Sequence, residues 1–267
     1  MVIDGHTLAE QILDRCRDEV QRLPRAPRLA LVACDPVGVT RRYLARKQEA
    51  AARVGVEVQL IEVPAQTNTQ EMIEQMSVVA TECDGLVVQL PLPDILETEA
   101  ICAAIPAAVD VDALRPDALV SGGFDSPVAV AVAYILEESA VPLVGTTAVV
   151  VGAGRLVGQP VTAFLQTAGA QVQVVTEHTD RPEEVFRQAD IIVLGAGVPA
   201  LLQPETVKSG VVIIDAATSE QSGRISGDAD PACAEKASVF TPVPGGVGPI
   251  TVAALLQNVV RSARDAR

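Results

Sequence analysis

Ala148-Val-Val-Val-Gly-Ala-Gly-Arg-Leu-Val-Gly158 decides the fold. The unbroken apolar run predicts a strand covered on both faces, and the glycines after it predict a tight turn opening a helix over 158–168. Glycine takes positive φ without strain and lets backbone approach a ligand with no Cβ between, while N–H groups at a helix start face an anion. Strand, glycine loop and helix in that order form the setting of a dinucleotide pyrophosphate, with Gly152, Ala153, Gly154, Arg155 and Leu156 placed to contact it. The spacing is G-x-G-x-x-x-G, which taken alone also fits a plain strand-to-helix turn. A strand at 171–175 ends just before Glu177, where an acid accepts hydrogen bonds from ribose hydroxyls and repels a 2′-phosphate. Such a loop favours NAD over NADP, although Glu177 taken singly also fits a solvated loop acid.

Outward from this stretch, apolar runs at 190–194 and 211–214 predict further buried strands. A last helix over 251–264 has Thr251 as its N-cap and Leu255, Leu256, Val259 and Val260 as its apolar stripe. The first half alternates in the same way. A helix opened by a Thr7/Glu10 capping box runs to Leu23, followed by strand 29–33, helix 40–54, strand 56–63, helix 69–82 and strand 85–88. The Asp-, Pro- and Gly-rich stretch 106–126 reads as a boundary, in which 109–112 can hold a strand end, and a linking helix follows over 127–138. The fold class is α/β with two domains of parallel sheet. Residues 1–120, joined by 251–267, form one, and 121–250 form a Rossmann-like second.

The 267 residues carry 34 acidic and 20 basic side chains, a formal charge of −14 that disfavours nucleic acid and anionic membranes as partners. Five scattered cysteines without a C-x-x-C pair suggest neither a disulfide framework nor a thiolate metal site. No leader or spanning stretch stands out, so the expectation is a cytoplasmic protein. With only His6 and His178, histidine-based zinc sites and Ser-His-Asp triads are set aside, no metal is expected, and acid–base work falls to Lys, Asp, Glu or Tyr.

Tyr43 and Lys47 are spaced i, i+4, so both polar tips leave one helix face. Such pairs also occur on ordinary helices. Gln89 adds weight because it stands at the carboxyl end of a buried strand, where open α/β sheets present ligands, and the stiff Leu90-Pro91-Leu92-Pro93 follows it. Asp110 and Asp112 alternate on a segment read as extended, so one can address that site while the other is a turn or capping acid. Thr241-Pro-Val-Pro-Gly-Gly-Val-Gly-Pro-Ile-Thr251 combines three glycines with three prolines, a rigid binding edge in which Pro244, Gly245, Gly246 and Pro249 are the candidates, or else a hinge.

Taken in order, Ile3-Asp4-Gly5, Tyr43-x-x-x-Lys47, Gln89-Leu-Pro-Leu-Pro93, Asp110-Val-Asp112, the 152–160 loop and the 241–251 string resemble the bacterial bifunctional methylenetetrahydrofolate dehydrogenase/methenyltetrahydrofolate cyclohydrolase family nearly end to end. The resemblance implies a folate-binding N-terminal domain, a Rossmann-like cofactor domain, a last helix returning to the first domain, and a homodimer. It implies hydride transfer from 5,10-methylenetetrahydrofolate to NAD or NADP, then hydrolysis of the methenyl cation to 10-formyltetrahydrofolate. Lys47 would be the catalytic lysine, Gln89 its orienting partner, Tyr43 a folate-lining residue and Asp112 the pterin acceptor. Leu90, Pro91 and the 244–249 residues would contact folate, and Thr218 the cofactor. The chain departs from the family mainly on the cofactor side, with Ala153-Gly154 for an Arg-Ser pair, Glu177 for a serine, Ser126-Pro-Val-Ala129 for Pro-Cys-Thr-Pro and Ala217-Thr218 for Gly-Ile. Val109 and Ala113 also replace a lysine and a glycine beside the Asp-Val-Asp segment. These departures favour NAD and leave open a cyclohydrolase-dominant member or a non-catalytic folate- or nucleotide-binding paralogue.

Overall fold

The computed structural model describes residues 1–221 and 224–266. The chain divides into two compact units, one of residues 10–127 with 252–267, the other of residues 1–9 with 128–251.

In the first unit, β1 (Arg28–Cys34) lies between β2 (Glu57–Val63) and β3 (Gly85–Val88), all parallel. β1 is buried along Leu29 to Cys34 and β3 throughout, as expected of strands without polar alternation. α1 (Gly5–Val20) precedes β1, α2 (Gly38–Val54) connects β1 to β2, and α3 (Thr69–Val79) connects β2 to β3. α2 ends at Gly55 with φ +85, a left-handed cap that glycine accommodates, and α3 starts with an Asn68/Glu71 capping box. Met72, Met76, Leu86, Ile101 and Ile105 are fully buried in this core. α4 (Thr98–Ala103), which the sequence reading omits, and the four-residue α5 (Ala118–Ser121) complete the unit.

In the second unit, α6 (Pro127–Glu138) precedes a parallel sheet of β4 (Thr147–Val151), β5 (Gln171–Val175), β6 (Ile191–Leu194), β7 (Val212–Asp215) and β10 (Val239–Phe240), ordered β10-β7-β6-β4-β5. α7 (Gly158–Thr167) and α8 (Pro182–Gln188) connect its strands, and β8 (Ser219–Gln221) pairs antiparallel with β9 (Arg224–Ser226). The order reverses about β4, with β5 on one side and β6 on the other, which makes the ends of β4 and β6 the topological switch point. α9 (Val247–Asp265) closes the chain. Among the described residues no helix is long and apolar enough to cross a membrane.

Four local expectations differ from the structure. α1 is opened by Asp4, not by a Thr7/Glu10 box. The Asp4 carboxylate accepts from the N–H groups of His6 and Thr7 and from Thr7 Oγ1, while Glu10 pairs with Arg53. α9 begins at Val247, and Thr251 lies inside it, donating from Oγ1 to Val247 O at 3.1 Å. Pro249 fits the first turn because its missing N–H has no intrahelical partner to lose. Residues 107–109 form a 3₁₀ turn, not a strand end. Finally, residues 1–9 group with the second unit although the expected boundary placed them in the first. Ile3 N–H donates to Phe240 O and Phe240 N–H to Met1 O, each at 2.9 Å, and the Met1 ammonium donates to Ser238 O, so the opening segment is bonded to β10.

Candidate active site

β3 ends at Val88, and the next residue is fixed by its backbone, Gln89 N–H donating to Val32 O at 2.8 Å. Its side-chain Nε2 donates to Leu90 O at 2.8 Å, which turns Oε1 toward α2, where it accepts from Lys47 Nζ at 3.1 Å. The amide orientation is therefore determined, because only the NH₂ side can serve the Leu90 carbonyl. Leu90 is half-buried and Pro91 exposed. Tyr43 lies one turn before Lys47 on α2, half-buried, with the Arg46 guanidinium 6.0 Å from its ring centre.

Asp112 supplies the opposing charge. Burial pushes the Lys47 amine below its ordinary value and the Asp112 carboxyl above its own, and in each case attraction to the other group opposes the shift. As a residue Lys47 is only half-buried, but its amine is surrounded by protein. Desolvation thus dominates, and it favours an amine that releases its proton readily.

Asp110 does different work. It is buried and its two oxygens accept from the N–H groups of Leu114 and Arg115, each at 2.9 Å. The two aspartates part company because the chain turns here, not because an extended strand alternates. Ala113, in place of the family glycine, has φ +53. A residue missed by sequence reasoning holds this turn: buried Asn258 on α9 donates from Nδ2 to Val111 O and to Asp125 O, each at 2.9 Å. Gly85 permits the fit, since a Cβ there would lie 2.9 Å from both Val111 methyls. The visible signal was an asparagine amid the apolar stripe of the last helix, where a buried amide needs partners.

In the second unit the glycine loop joins β4 to α7. Gly152 has φ +96, and a Cβ on it would stand 2.8 Å from Gly195 O. A Cβ on Gly158 would stand 2.2 Å from Gly152 O, while one on Gly154 would meet nothing within 4 Å. Thus Gly152 and Gly158 close the turn and Gly154 leaves an open face before the first N–H groups of α7. Ala153 and Leu156 are exposed and Arg155 is half-buried. This cradle fits a dinucleotide pyrophosphate on geometry and on the helix field. Glu177 stands exposed two residues beyond β5, its carboxylate 3.7 Å from His178 Nε2, and Thr218 is exposed beyond β7.

The 241–251 string packs against the chain's opening residues. Gly245 has φ +102 and its carbonyl accepts from Gly5 N–H at 2.9 Å, and Gly246 N–H donates to Pro242 O at 2.8 Å. A Cβ on Gly5 would lie 1.8 Å from Gly246 O, which explains the glycine of Ile3-Asp4-Gly5. Pro244 is exposed, Pro249 half-buried, and Thr241 Oγ1, beneath them, accepts from Asp215 N–H at 2.6 Å.

A lysine–glutamine pair at one strand end and a glycine-loop nucleotide cradle define a two-unit α/β enzyme class with a nicotinamide-dinucleotide domain. Residues 3–112 match the catalytic domain of tetrahydrofolate dehydrogenase/cyclohydrolase, and residues 126–267 match the NAD(P)-binding domain of the same family. The chain belongs to the tetrahydrofolate dehydrogenase/cyclohydrolase family. It is 34% identical to the bifunctional protein FolD of Methanoculleus marisnigri, over 99% of this chain and 96% of that one. Its fold superposes with a TM-score of 0.95 on the FolD methylenetetrahydrofolate dehydrogenase/cyclohydrolase of Campylobacter jejuni, 31% identical, covering 100% of this chain and 99% of that one. The FolD of Trypanosoma brucei, solved with NADP and an inhibitor, gives 0.94 at 31% identity over 100% and 98%.

Proposed function

We propose that this chain oxidises 5,10-methylenetetrahydrofolate to the 5,10-methenyl form with a nicotinamide cofactor, NAD in preference to NADP, and hydrolyses the product to 10-formyltetrahydrofolate. The observation that carries the reading is the desolvated Lys47 amine held by Gln89 Oε1 at 3.1 Å.

The methenyl carbon is cationic and electrophilic. Water adding to it must lose a proton, and Lys47 Nζ, whose hold on its own proton is weakened by burial, is the group placed to accept it. Cleavage of the carbon–N5 bond then leaves the formyl group on N10, with a proton delivered to N5. Gln89 fixes the amine's direction and Asp112 attracts its charged form while serving as acceptor for pterin N–H groups. Tyr43, Leu90 and Pro91 line the folate, as do Pro244, Gly245, Gly246 and Pro249. Gly152, Ala153, Gly154, Arg155, Leu156, Glu177 and Thr218 hold the dinucleotide, which when bound supplies the hydride acceptor. Hydride transfer needs placement more than acid or base. We infer a homodimer acting in the cytoplasm. The five free cysteines fit a reducing compartment, and the net charge of −14 fits a chain without nucleic-acid or membrane partners.

Departures confined largely to the cofactor side, Ala153-Gly154 and Ala217-Thr218 among them, favour one second reading, a cyclohydrolase-dominant member. Absorbance during incubation with methylenetetrahydrofolate and NAD or NADP separates the two. The bifunctional reading expects methenyl accumulation followed by decay, and faster turnover with NAD. Decay of added methenyl substrate without cofactor-dependent oxidation would favour the second reading, and inertness toward both substrates would end both. Lys47→Met is expected to cut hydrolysis about 10²–10⁴-fold, the worth of a positioned acid–base group, with folate affinity kept.

A further inference from the structure

The second unit holds a carboxylate that neither glycine string accounts for. Asp228, just beyond β9, is fully buried. Its Oδ2 accepts from Ala196 N–H at 2.8 Å and Gly197 N–H at 3.0 Å, the Val198 N–H also favours the charged carboxylate, and Oδ1 has no hydrogen-bond partner of good geometry among the described residues. Its carbonyl accepts from Leu202 N–H at 3.0 Å, so the residue is anchored from its main chain as well. The loop it holds is exposed at Ala196, Gly197 and Val198. The two N–H groups point inward to this carboxylate, and burying a carboxylate with one oxygen unpaired is costly. That expense is explained if the position of the loop matters.

The loop follows β6 and lies beside the glycine loop. The absent Cβ of Gly152 would stand 2.8 Å from Gly195 O and 3.2 Å from Ala196 Cα, and a Cβ on Gly195 would stand 2.5 Å from a Val157 methyl. The two loops are therefore packed glycine to glycine across the β4/β6 switch point. Glu177, placed for the adenosine ribose, lies on the β5 side of β4, so the β6 side is left for the other half of a dinucleotide. A second tether, Ser219 Oγ donating to Gly197 O at 2.8 Å, holds the loop from β8.

We propose that Asp228 is a positioning residue for the nicotinamide half of the cofactor. By holding the Ala196 and Gly197 N–H groups from beneath, it sets the 195–198 loop against the glycine loop without itself touching the ligand. This rests on the nucleotide-binding reading above and goes beyond it, because it divides the site into halves that answer to different residues.

The test compares NAD with ADP-ribose, which lacks the nicotinamide, by titration calorimetry on the full chain. Asp228→Ala is expected to weaken NAD at least about tenfold and ADP-ribose less than about twofold, and to raise the cofactor KM while hydrolysis of added methenyl substrate stays unchanged. Asp228→Asn keeps an acceptor oxygen for the two N–H groups and is expected to recover most of the loss. A merely structural role would weaken both ligands equally, and that result, or no loss for NAD, overturns the proposal. Should Asp228→Ala fail to fold, Ser219→Ala is expected to shift the same ratio by about threefold, and an unchanged ratio there overturns it equally. A wild-type chain that binds neither ligand refutes the nucleotide reading itself, a different result from an unchanged ratio.

Discussion

Gly5→Ala is the sharpest test of how the opening residues shape the 241–251 string. The new Cβ would sit 1.8 Å from Gly246 O and 2.6 Å from Gly245 O, both backbone atoms with no rotamer in which to escape. Carbon and carbonyl oxygen do not approach within 3.0 Å, so the two segments must separate by more than an ångström. That movement stretches the Gly5 N–H bond to Gly245 O beyond its present 2.9 Å. Forced overpacking costs about 1–3 kcal/mol, and a net backbone hydrogen bond about 0.5–1.5 kcal/mol. The expected loss is therefore about 2–4 kcal/mol, read as a lower urea midpoint at unchanged slope. Because the displaced segment carries Pro244, Gly245 and Gly246, the folate KM should also rise, and misplacement of about 1 Å can cost as much as 100-fold in rate. A variant within about 0.5 kcal/mol of wild type and with unaltered folate KM would show that the segments are free to part, and the proposed binding edge would lose its rigidity.

Three further outcomes are expected. Glu177→Ser removes one negative charge from the proposed ribose position, and kcat/KM for NADP should rise about 5- to 30-fold, corresponding to about 1–2 kcal/mol of relieved repulsion, while NAD changes little; equal effects on both cofactors would contradict the assignment. Asp215 is buried and its carboxyl is pushed up to about 6 from 3.8 by desolvation, so the folded state binds the proton more tightly and stability falls as pH rises from about 4 through about 6. The contribution is of order 3 kcal/mol; Asp215→Asn should flatten that limb of a pH series of urea midpoints, and an unchanged slope would reject the cause. Asn258→Leu strands the carbonyls of Val111 and Asp125 and should destabilise the chain by about 2–4 kcal/mol. It should also slow hydrolysis more than it weakens dinucleotide binding, and calorimetry with NAD beside the hydrolysis assay checks the split.

What could be read from the sequence follows a physical division. Buried parallel strands announce themselves because both faces must be apolar, and β3 occupies the very residues that patterning gives; the edge strand β5, mostly exposed, and α6 do so as well. Lys47 and Gln89 were legible because each has a local context, a helix face and a strand end, although nothing local says that the two meet at 3.1 Å. The helix starts misled because two caps compete within a few residues. Asp4 reaches the first N–H groups before Thr7 does, and Pro249 marks a first turn that a search for serine, threonine or aspartate caps passes over.

The residues that went unseen act at long range. Asn258 serves carbonyls 147 and 133 positions away, and Asp228 serves amides 32 and 31 positions away, so no window of sequence contains both partners. Asn258 has a trait that the sequence does show, a polar side chain set among apolar neighbours, whereas Asp228, within Ser226-Gly-Asp-Ala-Asp-Pro231, does not. Such a residue is stable only if the fold brings it donors or acceptors, and so the oddity fixes that partners exist without saying which. In this chain the partners are in both cases backbone groups of segments that carry proposed site residues or pack against them. A buried polar side chain bonded to distant main chain sets where a loop sits, whereas one bonded to a neighbouring side chain sets only where that side chain points. On that distinction Asn258 and Asp228 each set where a segment of their own unit sits, whereas Gln89 sets where a single amine points.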